Sequence, residues 1–321
     1  MVSTLKALVH TMRHEARGIV SVELRPASPD ISFPPFTAGS HLDLHLADGM
    51  VRSYSLSNSQ DDRQRYVVTV QDDRNSRGGS RYVHERLRVG SVVEFAPPRN
   101  HFALHEEAPR SVLVAGGIGV TPIYAMLQRL CSLGRPVALV YCARSQEEAA
   151  FCQEITAAAG PQVEVGMFFD DQLGVPPNLL ELLAGRGADT HYYCCGPAGM
   201  LAAFEKACDS LGYPHAHVER FAPPADAPPA TQGSGYVLEL QRSGRSLTVP
   251  PGQTILDTLL ANGIDVSYSC GQGICGACET SVLAGEVDHR DSILSPAEQS
   301  GGATMMICVS GCKSGRLVLD L

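Results

Sequence analysis

Residues 269–279 read SCGQGICGACE and residues 305–311 read MMICVSG. Together they set Cys270, Cys275 and Cys278 at C-x₄-C-x₂-C spacing, with Cys308 30 positions further on. This is the plant-type [2Fe–2S] spacing. Two irons need four thiolates converging on one small rhomb, and a short loop can wrap the cluster and supply three. Gly271, Gly273 and Gly276 let that loop curl and aim N–H groups at the sulfurs, because glycine tolerates positive φ. Structural zinc is the competing reading, but zinc sites usually pair two short knuckles, whereas this set is three plus one with glycines between. Cys312 is a rival fourth ligand. Cys308 is preferred because it ends an apolar strand facing the core, which leaves Cys312 incidental.

Outward from this loop the chain separates into blocks. Residues 236–321 open with a hairpin-like stretch, YVLELQRSGRSLTVPPG, then a helical TILDTLLANG, the cysteine loop, and closing strands around MMICVSG and GRLVLDL. Residues 223–235, PPADAPPATQGSG, have no hydrophobic period and read as a linker. Its Pro-rich part would reach about 25 Å if extended at roughly 3.1 Å per residue. From 107 to 222 compact apolar runs (SVLVAGG, PVALVYCAR, QVEVGMFFD, HYYCCG) alternate with helical stretches, which predicts a parallel α/β sheet. From 1 to 106 short period-two stretches, such as GIVSVELRP, HLDLHLADG, VRSYSLSN, RYVVTVQDD and SVVEFAPP, end at Gly, Pro, Asn or Asp. They predict antiparallel strands in a small barrel or sandwich.

Composition agrees with two or three domains. The 321 residues are 44% hydrophobic and carry a net charge of −9, enough to build proper cores and wrong for a nucleic-acid surface. The acidity reads either as ordinary solubility or as docking to a basic partner patch. Residues 1–18 lack a continuous apolar core of the signal-peptide kind. No run of about 18 apolar residues predicts a membrane span. Eleven cysteines, five of them between 270 and 312, fit cytosolic thiols plus one metal site better than a disulfide framework. A cytoplasmic location is expected.

VLVAGGIGVTP, residues 112–122, is a strand, then Gly116, Gly117 and Gly119, then a helix opening near Thr121 and Pro122. Glycines let a pyrophosphate approach the backbone, and the helix N-terminus offers N–H groups and partial positive charge. Later strands end in YCAR and YCCGPAGM, at the carboxyl edge where open α/β sheets bind ligands. Cys195 is placed to approach a nicotinamide ring, or is a small buried residue. Arg144 would contact pyrophosphate or ribose, or be an ordinary surface arginine. Asp170 would accept from an adenine-ribose 2′-hydroxyl and repel a 2′-phosphate, favouring NADH, or would cap a loop.

RSYSLSN, residues 52–58, alternates as a strand. A bare reading makes Tyr54 and Leu56 barrel filler and Ser53, Ser55 and Ser57 a solvated face. The R-x-Y-S strand, the G-G-x-G-x-T-P loop and the C-G-P-x-x-M element (Cys195, Gly196, Pro197, Met200) together resemble the ferredoxin–NADP⁺ reductase superfamily. With a C-terminal ferredoxin domain, essentially the whole chain resembles the phthalate dioxygenase reductase family, which includes the vanillate demethylase reductases. That resemblance implies a β-grasp fold for the ferredoxin domain. It also puts Arg52, Ser53, Tyr54 and Ser55 on a flavin, Gly78, Gly79 and Ser80 by its phosphate, Thr121 near flavin or nicotinamide, and Phe221 of ERF beside the ring. The bland alternative for Phe221 is a hydrophobic plug.

The family's flavin is FMN, and no separate segment here is assignable to an adenine half of FAD. The implied catalytic set is Cys195, Thr121 and Ser55. The implied activity is that of an oxygenase reductase, passing electrons from NADH through FMN and [2Fe–2S] to a terminal Rieske oxygenase. The flavin is needed as a two-to-one electron converter. Competing readings are a reductase for another acceptor, such as a cytochrome P450, and a non-catalytic iron–sulfur redox sensor.

Overall fold

A computed structural model describes residues 4–28, 31–73, 76–224 and 234–321. The linker expected at 223–235 therefore lies mostly outside the described residues. The chain divides into two compact units, Ser3–Arg220 and Phe221–Leu321.

The first unit begins with six strands: β1 (Leu5–Ala16), β2 (Ile19–Pro26), β3 (His41–His45), β4 (Val51–Ser55), β5 (Tyr66–Gln71) and β6 (Val92–Phe95). They form an antiparallel sheet in the order β4-β3-β6-β1-β2-β5. A bridge from Leu56 to Val68, with the Ser57 N–H donating to the Val67 carbonyl at 2.9 Å, joins the two edges into a barrel. Such closure shortens the exposed strand edges. Val9, Val22, Leu24, Leu42, Leu44, Leu56, Val68 and Phe95 fill the interior. One short helix, α1 (Gly79–Glu85), lies between β5 and β6.

Strand β1 is absent from the stretches legible in sequence. Two register shifts, at Val9/Thr11 and at His14/Ala16, interrupt its alternation. The serines of RSYSLSN form no solvated face. Ser55 and Ser57 are buried, because barrel closure turns the end of β4 inward. Ser53 donates to Asp43 at 2.6 Å.

The same unit continues with β7 (Ser111–Gly116), α2 (Val120–Ser132), β8 (Val137–Ala143), α3 (Cys152–Ala158), β9 (Val163–Phe169), α4 (Asp170–Leu173), α5 (Leu179–Leu183), β10 (His191–Cys195), α6 (Ala198–Leu211) and β11 (Ala216–Glu219). The sheet is parallel, in the order β11-β10-β7-β8-β9. Strands β7 and β8 are buried along their whole length, as a sheet covered on both faces requires. Helices α2 and α3 cover one face and α5 and α6 the other.

β7 and β10 are neighbours in space though far apart in sequence. Their carboxyl ends form the topological switch point where such sheets bind ligands. The fifth strand, β11, escaped the sequence reading because it has only four residues, AHVE, with little apolar signal. The boundary expected at 106/107 falls inside this compact unit. Barrel residues Ala16, Ile19, Ala38 and Phe102 share the core of the α/β sheet.

The second unit holds β12 (Tyr236–Leu240), β13 (Arg245–Val249), α7 (Ile255–Ala261), β14 (Glu279–Ala284), β15 (Val287–Asp288), α8 (Pro296–Gly301), β16 (Thr304–Met306), β17 (Gly311–Cys312) and β18 (Arg316–Leu319). The main sheet runs β13-β12-β18-β14-β16, with β12 and β18 parallel and the other pairs antiparallel. Helix α7 starts on a capping box, Thr254 with Asp257, and buries Ile255, Leu256 and Leu259. This is the α+β β-grasp arrangement. No helix of the described residues is long and apolar enough to cross a membrane.

Candidate active site and iron–sulfur centre

All four expected cluster ligands are buried, Cys270 at 9% exposure and Cys275, Cys278 and Cys308 at 5% or less. Their thiols meet. Cys270 hydrogen-bonds Cys275 and Cys308, and Cys278 hydrogen-bonds Cys308. Hydrogen bonds from those neighbours, with help from the Ile274 and Gln272 N–H groups, pull Cys270 below the ordinary thiol range. The Gln272 N–H lies 3.2 Å from the Cys270 sulfur, and the Cys270 N–H 3.5 Å from that of Cys275. Gly271, Gly273 and Gly276 hold φ of 64°, 70° and 72°, the left-handed region that lets consecutive N–H groups turn toward the sulfurs.

Four soft donors converging among backbone N–H groups fit a [2Fe–2S] cluster. Cys308 does not end a strand as expected. β16 stops at Met306, and the chain turns, with the Ser310 N–H donating to the Met306 carbonyl at 2.9 Å. That turn is what brings the Cys308 sulfur back to the loop. Cys312 lies apart, on β17 beside Ser314.

In the first unit three reactive side chains meet at the switch point. The Ser55 hydroxyl at the end of β4 hydrogen-bonds the Glu219 carboxylate at the end of β11. The Cys195 thiol at the end of β10 lies 4.0 Å from a Glu219 oxygen. Burial raises the Glu219 pKa to about 8, against a smaller lowering by Ser55. Burial likewise keeps the Cys195 thiol neutral, far above its usual range, with Glu219 adding to the effect. Sequence reasoning reached Ser55 and Cys195, and reached Glu219 only as part of the ERF segment, Glu219 to Phe221, that the resemblance puts beside the flavin, with no role of its own. Its one signal was its place in ERF, directly before Arg220 and Phe221.

The glycine loop is built by close packing. A Cβ on Gly119 would lie 2.2 Å from the Cys195 carbonyl oxygen, and one on Gly116 would lie 2.7 Å from both Met200 and Pro197. Gly196 is equally tight against Met200 and Gly116. Gly117 differs, with φ of 52° and open space where a Cβ would stand. Its backbone is the part of the loop free to meet a ligand. Thr121 is buried in the first turn of α2, and its hydroxyl donates to the Ile118 carbonyl at 3.0 Å.

Arg144 follows β8 and Asp170 follows β9. The Asp171 N–H donates to the Arg144 carbonyl at 3.0 Å, so the two segments sit side by side at the carboxyl edge.

On the barrel, the Arg52 guanidinium donates to the Val51 and Arg77 carbonyls at 2.8 and 2.6 Å. Its stem occupies the space beside Gly79, 2.5 Å from where a Cβ would be. Gly78 caps α1 with φ of 96°, and the Ser80 hydroxyl accepts from the Asp73 N–H at 3.2 Å. Arg52, Gly78, Gly79 and Ser80 thus form one cationic, amide-rich corner of the kind that suits a phosphate. Tyr54 shares its strand, and burial raises its phenol to about 12. Phe221 is 44% exposed and belongs to the second compact unit.

Comparison with known proteins finds two family models in this chain. Residues 238–313 match the family model of the 2Fe-2S iron-sulfur cluster binding domain. Residues 93–218 match that of the N-terminal domain of dimethylamine monooxygenase subunit DmmA-like proteins. A tetrachlorobenzoquinone reductase of Sphingobium chlorophenolicum is 48% identical, covering 100% of this chain and 99% of that protein. A phenoxybenzoate dioxygenase subunit beta of Ectopseudomonas oleovorans is 47% identical over 98% of this chain and 96% of its own length.

Among solved structures, phthalate dioxygenase reductase superposes with TM-score 0.71 at 34% identity, covering 99% of this chain and 98% of that one. An intact type IV self-sufficient cytochrome P450 monooxygenase superposes with TM-score 0.90 at 37% identity, covering 99% of this chain but 41% of the larger one. A flavin- and NAD(H)-binding barrel and sheet in the first unit, with a ferredoxin-type cluster domain after it, account for every one of these matches. On sequence and fold alike, this chain belongs to the phthalate dioxygenase reductase family of flavin iron–sulfur oxidoreductases.

Proposed function

We propose that the chain is the reductase component of a Rieske-type aromatic ring dioxygenase or O-demethylase system, carrying electrons from NADH through FMN and [2Fe–2S] to a terminal oxygenase in the cytoplasm. The observation that carries this reading is the meeting of Ser55, Cys195 and Glu219 at the switch point, in a chain that also holds four converging thiols. When bound, a flavin would supply hydride acceptance from the nicotinamide and one-electron transfer to the cluster.

The protein's part is positioning and charge. Arg52, Gly78, Gly79 and Ser80 hold the FMN phosphate, and Ser53, Tyr54 and Ser55 line the ring. Gly116, Gly117, Gly119, Gly196, Pro197 and Met200 shape the NADH loop, with Thr121 pinning the start of α2. Cys195 presents a neutral thiol beside the nicotinamide. Glu219 keeps a proton at neutral pH, and Ser55 connects that proton to the reacting edge. Arg144 and Asp170 receive the adenine ribose, where the Asp170 carboxylate favours a free 2′-hydroxyl and so NADH over NADPH.

The phosphate corner at Arg52 and Gly78–Ser80 supports FMN as the flavin. Eleven cysteines, none of them in a disulfide among the described residues, suit a reducing compartment. Plant-type clusters sit near about −400 mV and Rieske centres at roughly −150 to +300 mV, so onward transfer runs downhill. The likeness to a self-sufficient P450 favours a second reading, in which the acceptor is a P450 haem.

The test is stopped-flow reduction by NADH followed by anaerobic mixing with candidate oxygenases and P450s, with acid extraction to identify the flavin. Rapid bleaching of flavin and cluster bands, release of FMN, and fast delivery to a Rieske oxygenase support the proposal. Delivery to a P450 alone moves the chain to the second reading. Slow or absent bleaching would leave a redox sensor.

A further inference from the structure

Away from the electron path, three histidines from three separate segments gather at the amino edge of the parallel sheet. His105 lies on the connection from β6 to β7, His191 opens β10 and His217 lies on β11. One ring nitrogen of each lies within 4.8 Å of the other two. His191 Nδ1 and His217 Nε2 are 3.1 Å apart. Three nitrogens bound to one zinc at 2.0–2.1 Å and tetrahedral angles stand about 3.3 Å apart, so His191 and His217 are already at ligating separation, with His105 within 4.8 Å of both.

The frame around the trio is fixed. The His105 N–H donates to the Tyr193 hydroxyl at 2.9 Å. Fully buried Tyr193 stacks on the His217 ring at 4.7 Å. The His191 N–H donates to the Arg110 carbonyl at 3.1 Å. His215 stacks face to face on His191 at 4.4 Å and closes one side. His191 and His217 are half-buried and His105 exposed, so an ion could enter from solvent.

We infer that His105, His191 and His217 form a binding site for a borderline divalent cation of the zinc class, with three imidazole ligands and a fourth position open to water. Imidazole is the ligand type that zinc shares with copper and nickel, whereas calcium and magnesium require oxygen.

The site does not belong to the redox chemistry. β10 runs from His191 to Cys195, about 13 Å at 3.3 Å per residue, so the ion would sit at the opposite edge from the nucleotide loop. Its effect is to tie the connection carrying His105 to β10 and β11. The bland alternative is a His191–His217 hydrogen bond with His105 merely adjacent.

The experiment uses the full chain with flavin and cluster in place. Chelator-treated protein is dialysed against zinc, and bound zinc is counted by mass spectrometry. X-ray absorption at the zinc edge then identifies the ligands. One zinc per chain with a shell of nitrogen and oxygen and no sulfur is expected. Both signals should disappear in the double variant His191→Gln/His217→Gln and weaken in His105→Asn, while the rate of flavin reduction by NADH stays unchanged. His105→Asn changes an exposed position, so it reports even if the double variant fails to fold. Wild type without stoichiometric zinc, zinc retained equally by His105→Asn, or sulfur in the shell would overturn the site.

Discussion

Glu219 shows at the level of one residue what spacing can and cannot announce. The four cluster cysteines were readable because their separation is itself the chemistry. Glu219 meets Ser55 and Cys195 only after three elements fold together, and no interval in the sequence records that. Its carboxyl is raised from 4.5 to about 8, so the folded protein keeps the proton through a range where the unfolded chain has lost it. Stability from this group is full below about 4.5 and is lost as pH rises through 8. Glu219→Gln should flatten that slope in denaturant titrations across pH 5–9. It should also abolish any step near pH 8 in the rate of flavin reduction by NADH. A step that survives would assign the proton to another group.

Ser55→Ala, which removes the hydroxyl but keeps the strand, should slow reduction about 10²-fold, the lower range for a positioned proton-transfer group. Asp170→Ala should narrow the preference for NADH over NADPH about tenfold, or ~1.4 kcal/mol. An unchanged ratio would remove Asp170 from the specificity argument.

At the scale of elements, legibility followed burial. β7 and β8 are covered on both faces and read as unbroken apolar runs. β1 is the longest strand of the barrel, yet its bulges break the alternation that would have marked it. The glycine loop was legible as a motif but not in its division of labour. Gly119 has φ of −61°, so only packing against the Cys195 carbonyl excludes a side chain there.

Gly119→Ala should push the Cys195–Gly196 turn away from the nicotinamide site. The expected cost is about 1–3 kcal/mol of stability, with a fall in the flavin-reduction rate as well as a rise in KM for NADH. Gly117→Ala meets no neighbour and should raise KM while leaving the limiting reduction rate nearly intact. Equal effects of the two on that limiting rate would mean that the loop contacts NADH along its whole length.

For the whole molecule, the division into Ser3–Arg220 and Phe221–Leu321 assigns two halves of the electron path to separately packed bodies. Each has its own hydrophobic core, and the four cluster thiols belong wholly to the second. Hydride chemistry and single-electron chemistry should therefore separate by mutation. Cys275→Ser replaces one soft thiolate with a hard hydroxyl in a nest whose other three sulfurs depend on it for convergence, and the cluster should be lost. The serine is smaller and polar, so the barrel and parallel sheet, which share no core with it, should keep their melting transition. Flavin reduction by NADH should then proceed at close to the wild-type rate, while delivery to a one-electron protein acceptor falls to background. Loss of flavin reduction in the same variant, with the first melting transition unchanged, would mean that the two bodies act as one catalytic unit despite their separate cores.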